Sequence, residues 1–236
     1  MPKLTFICQT PSGKGRVQFT TWLQNLSRYR VIGIVRARAA DLAYQMGAVL
    51  AQAGIRFLEI TWDCPEAHQV IPRLQVAYPD CQVGTGTILT QADLAQALAA
   101  GVDFVLTPHT ERELIQTSLA AGVPLVPGSL TPSEILQAYH WGAPAVKVFP
   151  IGSVGGAAYL RHLRAPLGHI PLIPTGGVTR ANAGEMLAAG AVAVGLGRDL
   201  FPEPWFSQQD WPGLRRELAA WLHSLGLTGD AGTDSP

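Results

Sequence analysis

The sequence predicts an α/β chain folded as a (β/α)8 (TIM) barrel with an extra N-terminal helix. Two observations carry that expectation. Short β-branched runs alternate with Ala/Leu-rich segments from residue 31 onward, and they do so eight times over about 200 residues, the repeat of that barrel. The first strand–helix turn also lacks the glycine fingerprint of a dinucleotide-binding open sheet, the main competitor with the same alternation.

The strands are expected at 31–35 (VIGIV), 56–61 (RFLEIT), 82–86 (QVGTG), 103–107 (DFVLT), 124–128 (PLVPG), 145–150 (AVKVFP), 171–176 (PLIPTG) and 191–197 (AVAVGLG). Helices are expected at 40–54, 65–78, 90–101, 110–122, 131–142, 155–168, 179–190 and 211–226. Thr90, Thr110, Thr131 and Thr179 are placed to cap helix starts, and Gly54, Gly101, Gly122, Gly142 and Gly190 to end helices. Ahead of the first strand, residues 16–29 (RVQFTTWLQNLSRY) read as an amphipathic helix that closes the bottom of the barrel. The expected organisation is an N-terminal extension over 1–15, one barrel domain over 16–225 and a polar, small-residue tail over 226–236 read as disordered.

Composition narrows the function. The chain has 236 residues, 47% of them hydrophobic, with 17 basic and 17 acidic side chains. A balanced charge argues against nucleic acid as a partner. Cys8, Cys64 and Cys81 are odd in number and lack metal or disulfide spacing, so they read as reduced thiols. No apolar run reaches the roughly 18 residues of a membrane span, and the N-terminus lacks a secretory core. The expectation is a cytoplasmic protein with no membrane partner. His68, His109, His140, His162, His169 and His223 show no metal-ligand spacing; His109, just past a strand end, is the one placed to reach a substrate.

Only three lysines occur, Lys3, Lys14 and Lys147, in a chain that otherwise uses arginine. Lys147 sits inside the apolar run AVKVFP. An amine that must lose its proton cannot be replaced by arginine, whose guanidinium stays charged. Strand alternation puts Lys147 on one face with Ala145 and Phe149, and Glu59 on one face with Phe57 and Thr61. If Val146, Val148, Leu58 and Ile60 meet the helices, both ionisable groups point into the barrel. The same alternation groups Thr85 with Thr87. A structural ion pair is one outcome. The other is chemistry: burial favours the neutral forms of both groups, so the amine can attack a carbonyl and the carboxyl can move protons.

Two glycine-rich stretches, PTGGV (174–178) and GLGRDL (195–200), follow the seventh and eighth strands, the usual phosphate position of this barrel. Arg198 reads either as a direct phosphate ligand or as a solvated loop arginine. Trp62, just past the second strand, reads as packing or as pocket lining.

Seven motifs, in order, resemble the 2-keto-3-deoxy-6-phosphogluconate (KDPG) and 4-hydroxy-2-oxoglutarate (KHG) aldolases: VIGIVRA, AGIRFLEIT, VGTGTILT, VPLVPGSLTPSE, AVKVFP, IPTGGVTRAN and VGLGRDLF. The resemblance spans roughly residues 20 to 215. It implies a class I aldolase in which Lys147 forms an iminium with a keto acid and Glu59 is the acid/base. It further implies that Thr87 holds the substrate carboxylate, that Pro108 lines the site, and that Gly176, Gly177 and the loop at Gly197 bind phosphate. Such enzymes use no metal or cofactor and form homotrimers. The implied reaction is cleavage of KDPG to pyruvate and glyceraldehyde 3-phosphate, or of KHG to pyruvate and glyoxylate. The alternatives are the phosphogalactonate epimer as substrate, a phosphosugar isomerase or epimerase, and a metabolite-binding barrel. Three positions depart from the best-known pattern. Asp63 stands where a carboxylate-gripping arginine is usual and, as an anion, would repel that carboxylate. Arg36 resembles the arginine of phosphogalactonate-type aldolases and is expected to take over the contact. Arg198 replaces a phosphate-binding serine.

Overall fold

The computed structural model describes residues 13–203 and 205–227, with side chains from Phe19 onward. The N-terminal extension before residue 13, and the tail from 228, lie outside the described residues.

Eight parallel strands form the wall: β1 (Val31–Val35), β2 (Phe57–Thr61), β3 (Gln82–Gly86), β4 (Val105–Leu106), β5 in two pieces (Leu125–Val126 and Gly128–Ser129), β6 (Val146–Val148), β7 (Leu172–Pro174) and β8 (Val194–Leu196). One sheet runs from the first piece of β5 through β4, β3, β2 and β1 to β8, and a second joins the other piece of β5 to β6 and β7. The ring closes through a parallel bridge between Thr175 and Gly195. Pro127, which has no N–H, separates the two pieces of β5, yet its carbonyl still accepts from Lys147 N at 2.9 Å. Strands β4 to β7 are shorter than expected for the same reason. Prolines 108, 127, 150, 171 and 174 remove ladder donors near their ends.

Helices α1 (Gly13–Tyr29), α2 (Ala40–Ala53), α3 (Ala67–Ala77), α4 (Gln91–Ala99), α5 (Arg112–Ala120), α6 (Pro132–His140), α7 (Gly156–Leu167), α8 (Ala183–Ala188) and α9 (Trp211–Ser224) accompany the strands. Thr90 caps α4 by accepting from Asp93 N, and Thr131 caps α6 in a reciprocal box with Glu134. Gly54, Gly101, Gly122, Gly142 and Gly190 all adopt the left-handed backbone expected after a helix. Two caps are corrected. Glu111, not Thr110, occupies the cap of α5, because the Thr110 hydroxyl donates to Gly128 O at 2.8 Å instead. Thr179 does not start α8; it exchanges hydrogen bonds with Asn182, and the helix begins only at Ala183. The intervening loop thus takes the place of the helix N-terminus expected beside PTGGV.

The core divides at the wall. Outside it, Leu58, Ile60, Val83, Val105, Val146 and Val148 pack against the helices. Inside, Ile32, Phe57, Phe104, Leu106, Val126, Ala145, Ile173 and Ala193 fill the lower barrel together with Trp22 and Leu26 of α1. Trp22 packs edge-to-face with Phe57 and tilted against Phe104, at centroid distances of 5.9 and 6.0 Å. The helix at 16–29 therefore closes the bottom as its amphipathic pattern indicates. The ionisable interior groups, Glu59 and Lys147, lie above this plug.

No helix among the described residues is long and apolar enough to cross a membrane, and none of their His, Cys, Asp and Glu side chains cluster as a metal site would require. Cys64 and Cys81 are buried free thiols.

Leu26 is fully buried in the plug. Leu26→Ala should cost about 2–5 kcal/mol in urea denaturation. A loss below about 0.5 kcal/mol would mean that α1 does not support the barrel.

Candidate active site

Above the plug, alternation brings Glu59 and Lys147 to the interior. On β2, Phe57 belongs to the inner core and Leu58 and Ile60 to the outer one, so Glu59 points inward. On β6, Ala145 is inner while Val146 and Val148 are outer, so Lys147 points inward too. Strands β2 and β6 lie four apart in a ring of eight, so the two groups face each other across the barrel. Glu59 is 1% and Lys147 6% exposed.

They do not form an ion pair: no Glu59–Lys147 contact falls within salt-bridge distance among the described residues. The carboxyl oxygen Oε2 of Glu59 is buried without a hydrogen-bond partner. Burial pushes the Glu59 carboxyl above its ordinary range. Lys147 opposes that most strongly, then Arg36, while Asp63 adds to it. A neutral carboxylic acid is the form this environment favours. The Nζ of Lys147 lies 4.9 Å from the centroid of the Phe149 ring.

Room for Glu59 comes from Gly86. A Cβ built there would lie 1.7 Å from Glu59 Oε1, so only glycine permits this rotamer. Gly84 and Gly86 face inward, and Thr85 faces out with Val83, donating to Ile60 O at 2.7 Å. The expected pairing of Thr85 with Thr87 is thereby corrected. Thr87 leaves the strand alternation through a left-handed backbone, φ 63°, costly for a β-branched residue.

At the mouth, Arg36 from the end of β1 is ion-paired with Asp63 and donates to Thr87 Oγ1 at 2.9 Å. Pro108 and Phe149 belong to the wall of a cavity of about 270 Å³, along with His109, Thr110, Ser129 and Glu134. His109 is turned to Glu111, 3.2 Å away. The Phe149 ring also reaches the Gly176 loop, where an added Cβ would come within 2.8 Å of it. Gly177, φ 90°, passes so close to Gly152 that a Cβ would sit 2.9 Å from its Cα. The N–H groups of Gly177, Val178 and Gly197 find no protein acceptor among the described residues. Arg198 is exposed beside them, and Arg180 links the two glycine loops by donating from its backbone N to Asp199 at 2.6 Å. Trp62 packs half-buried against the outer core. His68, His140, His162 and His223 lie on the surface.

Sequence reasoning gave no role to Phe149 or Gly86. Phe149 shares the alternation of Lys147, a usable signal; the need for glycine at 86 shows only once Glu59 is in place.

Residues 23–216 match the family model described as KDPG and KHG aldolase. The chain is 36% identical over 179 residues to a 2-dehydro-3-deoxy-phosphogluconate aldolase of Pseudomonas aeruginosa, covering 76% of this chain and 81% of that one. It is 32% identical over 181 residues to the 2-dehydro-3-deoxy-6-phosphogalactonate aldolase of Escherichia coli, covering 76% and 88%. The crystal structure of a Legionella pneumophila KDPG aldolase, with pyruvate captured as a covalent carbinolamine, superposes with a TM-score of 0.74 at 27% identity, covering 88% of this chain and 97% of that one.

The raised Glu59 carboxyl has a signed consequence. Between the ordinary glutamate range and the raised value, the folded protein holds a proton that the unfolded chain has released. Stability therefore falls as pH rises through that window. Glu59→Gln should abolish this fall in thermal melts at graded pH. A difference from the native chain that stays constant with pH would show that the carboxyl is not displaced.

Proposed function

The chain belongs to the KDPG and KHG aldolase family, a family of lyases, and from this premise we propose that it is a class I aldolase cleaving KDPG to pyruvate and glyceraldehyde 3-phosphate. The observation that carries the reading is the burial of Lys147 opposite Glu59 without an ion pair between them. A structural salt bridge would have used both groups up. Left unpaired, the amine can act as a nucleophile and the carboxyl as a proton carrier.

Lys147 Nζ adds to the C2 ketone, and loss of water forms an iminium that serves as an electron sink. Glu59 gives its own proton to the hydroxyl that departs as water, and the carboxylate so formed then takes the proton of the C4 hydroxyl, directly or through water. The C3–C4 bond breaks, the aldehyde departs, and its bonding electrons remain as an enamine. Protonation at C3 and hydrolysis release pyruvate and restore the amine. Arg36 and Thr87 hold the C1 carboxylate, and Pro108 and Phe149 wall the reacting carbons. The N–H groups of the loops at Gly176, Gly177 and Gly197, with Arg198, hold the phosphate, so binding energy far from the reacting bond orients it. The reading includes a homotrimer working without metal or cofactor.

A second substrate has specific support. Arg36 at the end of β1 is the feature shared with phosphogalactonate-type enzymes, so the galactonate epimer is the principal alternative, with KHG cleavage as a side activity.

Borohydride reduction in the presence of pyruvate should leave a stable adduct on Lys147, the only lysine whose side chain is described. Absence of an adduct at saturating pyruvate would exclude the aldolase and favour an isomerase, epimerase or metabolite-binding barrel. Pyruvate release from KDPG, its galactonate epimer and KHG then ranks the substrates; faster release from the epimer would overturn KDPG as the preferred one.

A further inference from the structure

Asp63 looks misplaced beside a seat for a carboxylate. As an anion near the mouth it should repel the keto acid. Its contacts indicate the reverse. Asp63 lies two residues beyond β2 on a loop fixed by Trp62 N to Gly86 O at 2.8 Å, Cys64 N to Thr61 O at 2.9 Å, and Ala37 N to Cys64 Sγ at 3.1 Å. The loop is thus tied to the ends of β2 and β3 and to the residue after Arg36. From it the carboxylate takes one terminal nitrogen of Arg36, while the other terminal nitrogen donates to Thr87 Oγ1 at 2.9 Å.

A free arginine on an exposed strand end would sample many rotamers, and fixing it on binding would weaken the grip. Here two loops already fix the plane of the guanidinium. Two of its five N–H groups are spent on Asp63 and Thr87, leaving three for an anion. Because Thr87 accepts from Arg36, its own O–H proton is free to be donated, and the left-handed backbone at φ 63° carries that hydroxyl to the mouth. Arg36 and Asp63 also act on Glu59 in opposite senses, so the cation can sit at the mouth with less pull on the Glu59 proton.

We propose that Asp63 is a positioning residue that holds Arg36 and, through it, the Thr87 hydroxyl as a preformed seat for the substrate carboxylate. Asp63 touches no reacting atom. The inference rests on the aldolase reading and deepens it: the seat is built for the single carboxylate of a 2-keto acid, with the charge of Arg36 already half answered.

The test is a sign test on the half-saturation for pyruvate, read by borohydride trapping on Lys147, and on the KM and kcat of KDPG cleavage. Asp63→Ala should raise half-saturation and KM about tenfold, the loss of a charge-assisted contact, with kcat much less affected. Asp63→Asn, which keeps an acceptor for the guanidinium, should raise them less. Arg36→Ala should raise them as well, and Arg36→Ala with Asp63→Ala should be no worse than Arg36→Ala alone. A fall in half-saturation in Asp63→Ala or Asp63→Asn would show a repelling anion and overturn the proposal. So would an unchanged value, a loss confined to kcat, or additive effects in the double variant. A native chain that traps no pyruvate overturns the aldolase reading and this inference with it; normal trapping with an unmoved Asp63→Ala overturns this inference alone.

Discussion

The structure depends on keeping two ionisable side chains buried and unpaired with each other. A carboxylate moved from water into a protein interior loses solvation worth several kcal/mol, and Glu59 meets that cost without a hydrogen bond to Oε2 or an ion pair with Lys147. Burial drives the carboxyl toward its protonated form, which lowers that cost, while Lys147 and then Arg36 pull the other way. The apolar plug under these groups sustains the condition. Trp22 and Leu26 seal the barrel from below, with Phe57 and Phe104 as the floor on which Glu59 stands.

The same constraint accounts for details of the wall. Gly86 has no side chain because the Glu59 carboxyl occupies the space where one would project. Thr87 takes a strained backbone and thereby turns its hydroxyl to the mouth, where Arg36 meets it. Polar groups thus form a layer between the plug and the loops. The charged ones that remain in contact with water, Arg36 and Asp63, answer each other at the rim.

Much of this was legible in the sequence. Period-two alternation in RFLEIT and AVKVFP assigned Glu59 and Lys147 to the inner face, because the valine, leucine and isoleucine positions between them have to meet helices. The amphipathic 16–29 segment announced the plug. What was not legible depends on backbone excursions or on partners distant in sequence. Thr87 departs from alternation through its own left-handed backbone, so the alternation that groups Thr85 with Thr87 does not hold. Thr110 and Thr179 look like helix caps locally, but Gly128 and Asn182 claim their hydroxyl and backbone groups. Asp63 reads as a repelling charge until the fold brings it onto Arg36, 27 residues away.

The protonation state of Glu59 decides whether this account holds. Infrared difference spectra of the native chain and Glu59→Gln, recorded across pH without ligand, isolate the carbonyl stretch of a protonated glutamic acid. A band lost in the Gln variant and persisting in the native chain well above the ordinary glutamate range is the expected result. A native spectrum already showing only carboxylate within that range would contradict it, because the interior would then be stabilising the charged form.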